Sequence, residues 1–243
     1  MAGVLVNRGK FEEATSHYQK ALKLHRLGLG VSAAAYDNGN DNQNNGNNGN
    51  DGDYNYENAS DVLWISEVYK NLGLAQIQIE SYERAIASLA RSLKLESGTR
   101  GNGKIFIYSD SIIETFGIMA IAQRFLNRNE HAISSLNNAV EATISLHNKT
   151  HSSLGDIYAN IAHTQETETG QKLDKNKDKD NKDALLSYDL SLKVKLANCE
   201  DVADTYFAIA RLLSKTETTG TSSRPIYSSL LSVYLHTYIH TWY

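Results

Sequence analysis

Apolar residues recur every three or four positions along most of the chain, the spacing that places them on one face of an α-helix. Only residues 104–108 show a trace of the strict alternation typical of a β-strand. The pattern therefore predicts an all-α protein whose helices come in pairs joined by short turns. The predicted helices are 10–27, 61–78, 81–95, 112–125, 130–146, 153–165, 182–196 and 201–213.

Polar stretches interrupt this helical pattern. Residues 37–58 are rich in asparagine, glycine and aspartate, and we expect a disordered insertion there. Residues 171–183 carry five lysines and four aspartates, which predicts a solvated loop. A glycine cluster at 98–104 lacks the Lys-Ser/Thr ending of a phosphate-binding loop. The predicted segments are a partial first repeat at 1–36, the insertion at 37–58, repeats at 59–215, and a linker with an apolar helix at 216–243.

The last part of the chain has apolar residues at steps of four. This stripe predicts a helix that caps the open end of the repeats. A membrane-surface or partner-docking helix is the alternative, although the basic polar face usual for such helices is missing. The stripe comprises Ile226, Leu230, Leu231, Tyr234, Leu235, Tyr238, Ile239 and Trp242.

Small residues recur at matched places in successive helix pairs. The pairs separated by 12 residues are Ala2 with Ala14, Gly73 with Ala85, and Ala120 with Ala132. Ala162 and Ala184 are 22 residues apart, and the extra ten residues fall in the lysine-aspartate stretch. Because a larger side chain would push two crossing helices apart, we expect these residues, together with Ala210, at close helix contacts. One pair cannot bury its apolar face alone, so the pairs must stack.

The residues around these positions resemble the tetratricopeptide motif, and residues 9–21 resemble a second helix whose first helix is cut short. The openings at 153–162 and 201–210 are similar to those of kinesin light chain and its relatives. The resemblance implies a right-handed superhelical solenoid of stacked antiparallel helix pairs. The residues that carry it are Tyr69, Leu72 and Gly73 with Tyr82, Ala85 and Leu89; Phe116, Met119 and Ala120 with Ala132, Leu136 and Ala139; Tyr158, Ile161 and Ala162 with Ala184 and Tyr188; and Tyr206, Ile209 and Ala210.

The same resemblance implies a scaffold that binds a peptide or protein segment in a concave groove lined by the first helices. In related repeats an asparagine just before the Leu-Gly or Ile-Ala pair points into the groove. Asn71 and Asn160 match, whereas Ile118 and Ala208 do not. Charged groove candidates, which would favour an acidic peptide, are Lys70, Arg124, His163 and Arg211. The alternative for these six residues is that they are ordinary solvated surface residues. The alternative for the chain is that it is a recruiting or regulatory module of a larger enzyme or motor assembly.

Composition narrows the function classes further. The net charge is −4, and no basic face suited to a nucleic acid is evident. The single cysteine, Cys199, excludes an intramolecular disulfide framework and fits the reducing cytoplasm. There is no uninterrupted apolar run of about 18 residues, so we expect no membrane span. The oligomeric state stays open.

Two histidine pairs have the spacing of metal ligands on a helix. His147 and His151 are four residues apart, as are His236 and His240. Neither pair has the glutamate of an HExxH motif or a third ligand nearby. Cys199 lies in no motif that marks a nucleophile. We therefore expect a protein that is not an enzyme, with no catalytic residues, no metal and no cofactor.

Overall fold

The computed structural model describes residues 2–28, 59–96, 109–171 and 177–217, and every regular element in these ranges is an α-helix. The eight helices expected from the sequence correspond to α2 through α9, and α1 is the short first helix at the N-terminus. The bounds are α1 Ala2–Asn7, α2 Phe11–Gly28, α3 Ala59–Gln78, α4 Tyr82–Glu96, α5 Asp110–Phe125, α6 Asn129–Leu146, α7 Ser153–Gln171, α8 Lys177–Ala197 and α9 Ala203–Glu217.

The helices pack as successive pairs within two compact units. In the first unit, Met1–His151, α1 packs on α2, α3 on α4 and α5 on α6. Contacts of α2 with α3 and of α4 with α5 stack these pairs, and α3 also touches α5 directly. In the second unit, Ser152–Tyr243, α7 pairs with α8 and α9 packs on α8. The predicted all-α, tetratricopeptide-like fold class of stacked helix pairs is confirmed, whereas the handedness of a superhelix stays a prediction.

Most of the recurring small residues lie in the core, as predicted, but Ala2 on α1 is only half-buried. Ala14, Ala85, Ala132, Ala162 and Ala184 are completely buried, and Ala120 is 1% exposed. Gly73 lies at a close approach of two helices, because a methyl group added there would lie 2.7 Å from Cγ of Leu89 on α4. Small side chains therefore let the two helices of a pair approach closely.

Ala210 is an exception to the predicted packing. Its counterparts Ala120 and Ala162 are buried, but Ala210 is exposed on α9. Those counterparts pack against the second helix of their own pair, and the described residues contain no second helix after α9. The expectation of a close helix contact at Ala210 is therefore wrong for the described part of the chain.

The same turn ends the first helix of three pairs. In each pair the turn residue has a left-handed backbone and follows the small residue of the first helix (Ala2, Gly73 or Ala120) by seven positions. The turn residues are Gly9 with a φ of 72°, Glu80 with a φ of 59° and Asn127 with a φ of 56°. The next backbone N–H bonds back to the helix, as from Ser81 to the carbonyl of Gln76 at 2.8 Å. This left-handed cap satisfies carbonyls at the helix end and reverses the chain towards the second helix.

One boundary differs from the sequence-based expectation. Residues 171–183 were expected to form a loop, but α7 extends to Gln171 and α8 begins at Lys177. Lysine is a good helix former, and aspartates at a helix start complement the helix dipole, so the charged stretch supports the first turns of α8.

Several of the predicted features lie outside the described residues. They are the insertion at 37–58, the glycine cluster, residues 104–108, the His236 pair and the C-terminal stripe. None of the described helices is long and apolar enough to cross a membrane.

Candidate functional site

A hydrogen bond between glutamine and serine recurs in three helix pairs, buried in the first two and partly buried in the third. Each glutamine follows the small residue of its first helix by three positions, and each serine follows the alanine of the second helix by three. The bonds join Gln76 to Ser88 at 2.8 Å, Gln123 to Ser135 at 2.9 Å and Gln165 to Ser187 at 2.9 Å. This polar contact fixes how the first helix is rotated about its own axis relative to the second helix. It thereby determines which face of the first helix points away from the second. The fixed offsets of these glutamines and serines are a signal in the sequence that identifies the contact.

Lys70 lies at the contact between two first helices. Its side chain on α3 is only 8% exposed, with Nζ 2.9 Å from Glu67 and 2.8 Å from Glu114 on α5. Burial alone would lower the pKa of Lys70, but the hydrogen bonds to Glu114 and Glu67 prevail, and the pKa lies above its ordinary value. The ammonium therefore stays charged and is neutralised within the protein.

Further hydrogen bonds extend this ion-pair network to α4. Lys70 also donates to Oγ of Ser111 at 3.3 Å, and Ser111 donates to Glu96 at 2.9 Å. Ser109 donates to the other oxygen of Glu96 at 3.0 Å and caps α5 by accepting from the backbone N–H of Ile112. Side chains from α3, α4 and α5 thus hold Lys70 in one place.

The charges that reach solvent at this contact are negative. The side chains of Glu67 and Glu114 are 50% and 58% exposed, against 8% for Lys70. Asn71 is half-buried and donates its amide to Oε1 of Glu67 at 2.9 Å. The equivalent residue on α5, Ile118, is 7% exposed and belongs to the core between α3, α4 and α5.

The outward face of α5 continues from Glu114 into an apolar half. Gly117 lies one turn further, and a methyl group added there would meet no atom within 4 Å. Ile121 and Phe125 follow, 44% and 58% exposed, and the Phe125 ring stacks on Tyr82 with centroids 4.7 Å apart. We call this surface the α3/α5 face, and it comprises Glu67, Lys70, Asn71, Glu114, Gly117, Ile121 and Phe125.

The remaining groove candidates lie on three different helices. Arg124 is half-buried on α5, beside the apolar end of the α3/α5 face. Asn160 and His163 are exposed on α7, in the second unit. Arg211 is on α9, where its guanidinium donates to Glu166 of α7 at 2.6 Å. Of the six candidates, the first unit therefore holds Lys70, Asn71 and Arg124.

Arg211 belongs to a largely buried polar cluster. The Glu166 side chain is 7% exposed, and the hydroxyl of Tyr188 on α8 lies 3.5 Å from the same carboxylate oxygen. Burial, followed by the charge of Glu166, raises the pKa of Tyr188 to about 12. The charge of Arg211, like that of Lys70, is thus balanced by a carboxylate inside the protein. The expected attraction of these two cations for an acidic peptide is correspondingly weakened.

The histidine pair has a local partner. Nε2 of His147, just after α6, lies 2.6 Å from Oδ1 of Asp110 at the start of α5, and the His147 ring stacks on His151. In the described part of the chain, no three histidine, cysteine or acidic side chains are grouped to hold a metal ion. Cys199 is exposed in the turn after α8, with a φ of 57°.

Comparison with known proteins bears on the identity of the repeats. The tetratricopeptide repeat model matches residues 66–99, which include most of α3 and all of α4. The chain contains a tetratricopeptide repeat. The protein is similar in structure to BtubC (BKLC) from P. vanneervenii, with a TM-score of 0.60 and 14% identity over 89% of this chain and 70% of that one. That likeness supports the kinesin-light-chain-like prediction at the level of the fold alone. No curated protein matches the sequence.

Proposed function

We propose that this chain binds an extended segment of another protein along the α3/α5 face, and that it is not itself an enzyme. Tetratricopeptide repeats are in general protein–protein interaction modules. The observation that supports this face is the open space at Gly117 between the exposed side chains of Glu114 and Ile121. Bare backbone at that point lets another chain approach α5 closely.

The apolar half of the face would supply affinity. Ile121 and Phe125 are each about half exposed. Full burial of such a side chain contributes about 1.5–3 kcal/mol, so covering the exposed parts contributes roughly 1 kcal/mol for each. Phe125 is held against Tyr82, so little rotational freedom is lost when a partner covers it.

The polar half of the face would supply orientation. Lys70 is fixed by Glu67, Glu114 and Ser111, so the carboxylates around it are already positioned before a partner arrives. Preorganised groups lose less conformational entropy on binding than free side chains do. A recruiting or regulatory module of a larger assembly, in the cytoplasm, would use the same face, and only the identity of its partner would differ.

The test is a selection of random peptides displayed on phage, with the purified chain as bait. Gly117→Leu places a side chain in the open space, and we expect it to abolish binding of the selected peptides. Gly3→Leu is the matched control, because Gly3 lies on α1 and also has no atom within 4 Å of an added methyl group. Selected peptides that bind Gly117→Leu as well as the wild type would refute this location of the site.

A further inference from the structure

We propose that the partner segment carries a lysine or arginine and, about 10 Å away along the chain, a large apolar side chain. The cationic side chain would lie against Glu67 and Glu114, and the apolar one against Ile121 and Phe125. This inference rests on the proposed function and names the chemistry of its partner.

The sign of the exposed charge supports a cationic partner. Two carboxylates, 50% and 58% exposed, surround one ammonium that is 8% exposed. The group carries a net charge of −1, and a ligand meets the carboxylate oxygens before it meets Lys70. An incoming ammonium or guanidinium can donate to those oxygens, whereas an incoming carboxylate meets like charge.

The spacing of the two halves sets the spacing in the partner. Glu114 and Ile121 are seven residues apart on α5, which corresponds to about 10.5 Å along the helix axis. A segment in the polyproline II conformation rises about 3.1 Å per residue and has three residues per turn, so side chains three residues apart lie on one face and span about 9 Å, close to this distance. The partner backbone then crosses Gly117, where no side chain blocks it.

The experiment compares two fluorescein-labelled octapeptides by fluorescence anisotropy. Both have leucine at the fifth position and serine at the spacers, and they differ only in having arginine or glutamate at the second position. We expect the arginine peptide to bind at least tenfold more tightly, with an advantage that shrinks as salt is added. Glu114→Gln, whose amide oxygen can still accept from Lys70, should weaken the arginine peptide about fivefold, the effect of a partly exposed ion pair.

The outcomes separate this inference from the proposed function. If the glutamate peptide binds equally or more tightly and Gly117→Leu abolishes that binding, the charge inference is overturned and the proposed face stands. If either peptide binds but Gly117→Leu has no effect, the proposed face is overturned as well. Absence of binding of both peptides to wild-type protein, shown to be helical by circular dichroism, also overturns the inference.

Discussion

The two glycines on α3 and α5 are expected to respond in opposite ways to the same substitution. Both lie within a helix, where replacing glycine by alanine removes backbone entropy from the unfolded chain and stabilises by about 0.5–1 kcal/mol. At Gly117 a new methyl group meets no atom within 4 Å, so Gly117→Ala should gain this stabilisation in full.

At Gly73 the new methyl group enters a filled space. It would lie 2.7 Å from Cγ and 2.8 Å from Cδ2 of Leu89, and 3.4 Å from the carbonyl oxygen of Ala85. Leu89 is completely buried, so it has little room to move aside. Overpacking of this kind costs about 1–3 kcal/mol, which exceeds the entropic gain. Gly73→Ala should therefore destabilise by about 1 kcal/mol, roughly 2 kcal/mol below Gly117→Ala.

Urea unfolding followed by circular dichroism measures the difference. The free energy of unfolding is compared between the two variants and the wild type, with equal m-values as the check that the unfolded states match. The equivalent positions in the next pair are Ala120 and Leu136, and both are buried, so that pair already accommodates the methyl group that α3 lacks. If Gly73→Ala proves as stable as Gly117→Ala, the close contact of α3 with α4 is not what requires glycine.

Three further predictions concern stability. Gln123→Leu leaves the buried hydroxyl of Ser135 without its partner and should cost about 1–3 kcal/mol, with Ser135→Ala closing a double-mutant cycle in urea unfolding. Glu80→Gly relieves a left-handed backbone at φ 59° and should raise the unfolding free energy by about 1 kcal/mol, more than Asn127→Gly because asparagine tolerates that conformation better. Tyr188 has a pKa raised from 10.0 to about 12, so its contribution to stability is present below pH 10 and is lost as the pH rises towards 12. Tyr188→Phe should therefore show a smaller loss of thermal stability over that alkaline range, and an unchanged alkaline loss would contradict the raised pKa.

The helix pairs could be predicted because burial imposes a regular spacing on the sequence. Tyr69 and Leu72 are three residues apart, which places them on one face of α3, and Ala85 lies where α4 crosses that helix. The spacing of apolar and small residues along the sequence is therefore enough to identify both helices. The serine of each buried glutamine–serine bond could also have been found, since Gln123 and Ser135 keep the offsets of Gln76 and Ser88.

The environment of Lys70 could not be predicted in the same way. Its partner Glu114 is 44 residues away, and the two meet only because α5 stacks against α3. The sequence predicts Lys70 to be a cation that faces a ligand, but stacking of α5 on α3 buries it beneath Glu67 and Glu114. The exposure of Ala210 likewise depends on which helix lies beside α9, and periodicity within α9 cannot reveal that.

Binding of a partner segment at the α3/α5 face is tested most directly by methyl NMR of isoleucine-labelled protein titrated with the arginine peptide. Ile121 lies on the α3/α5 face, whereas Ile133 lies on α6 and serves as an internal reference. We expect the Ile121 methyl signal to shift until the peptide saturates the protein, while the Ile133 signal stays in place. A saturable shift at Ile133 with none at Ile121 would show that the segment binds elsewhere.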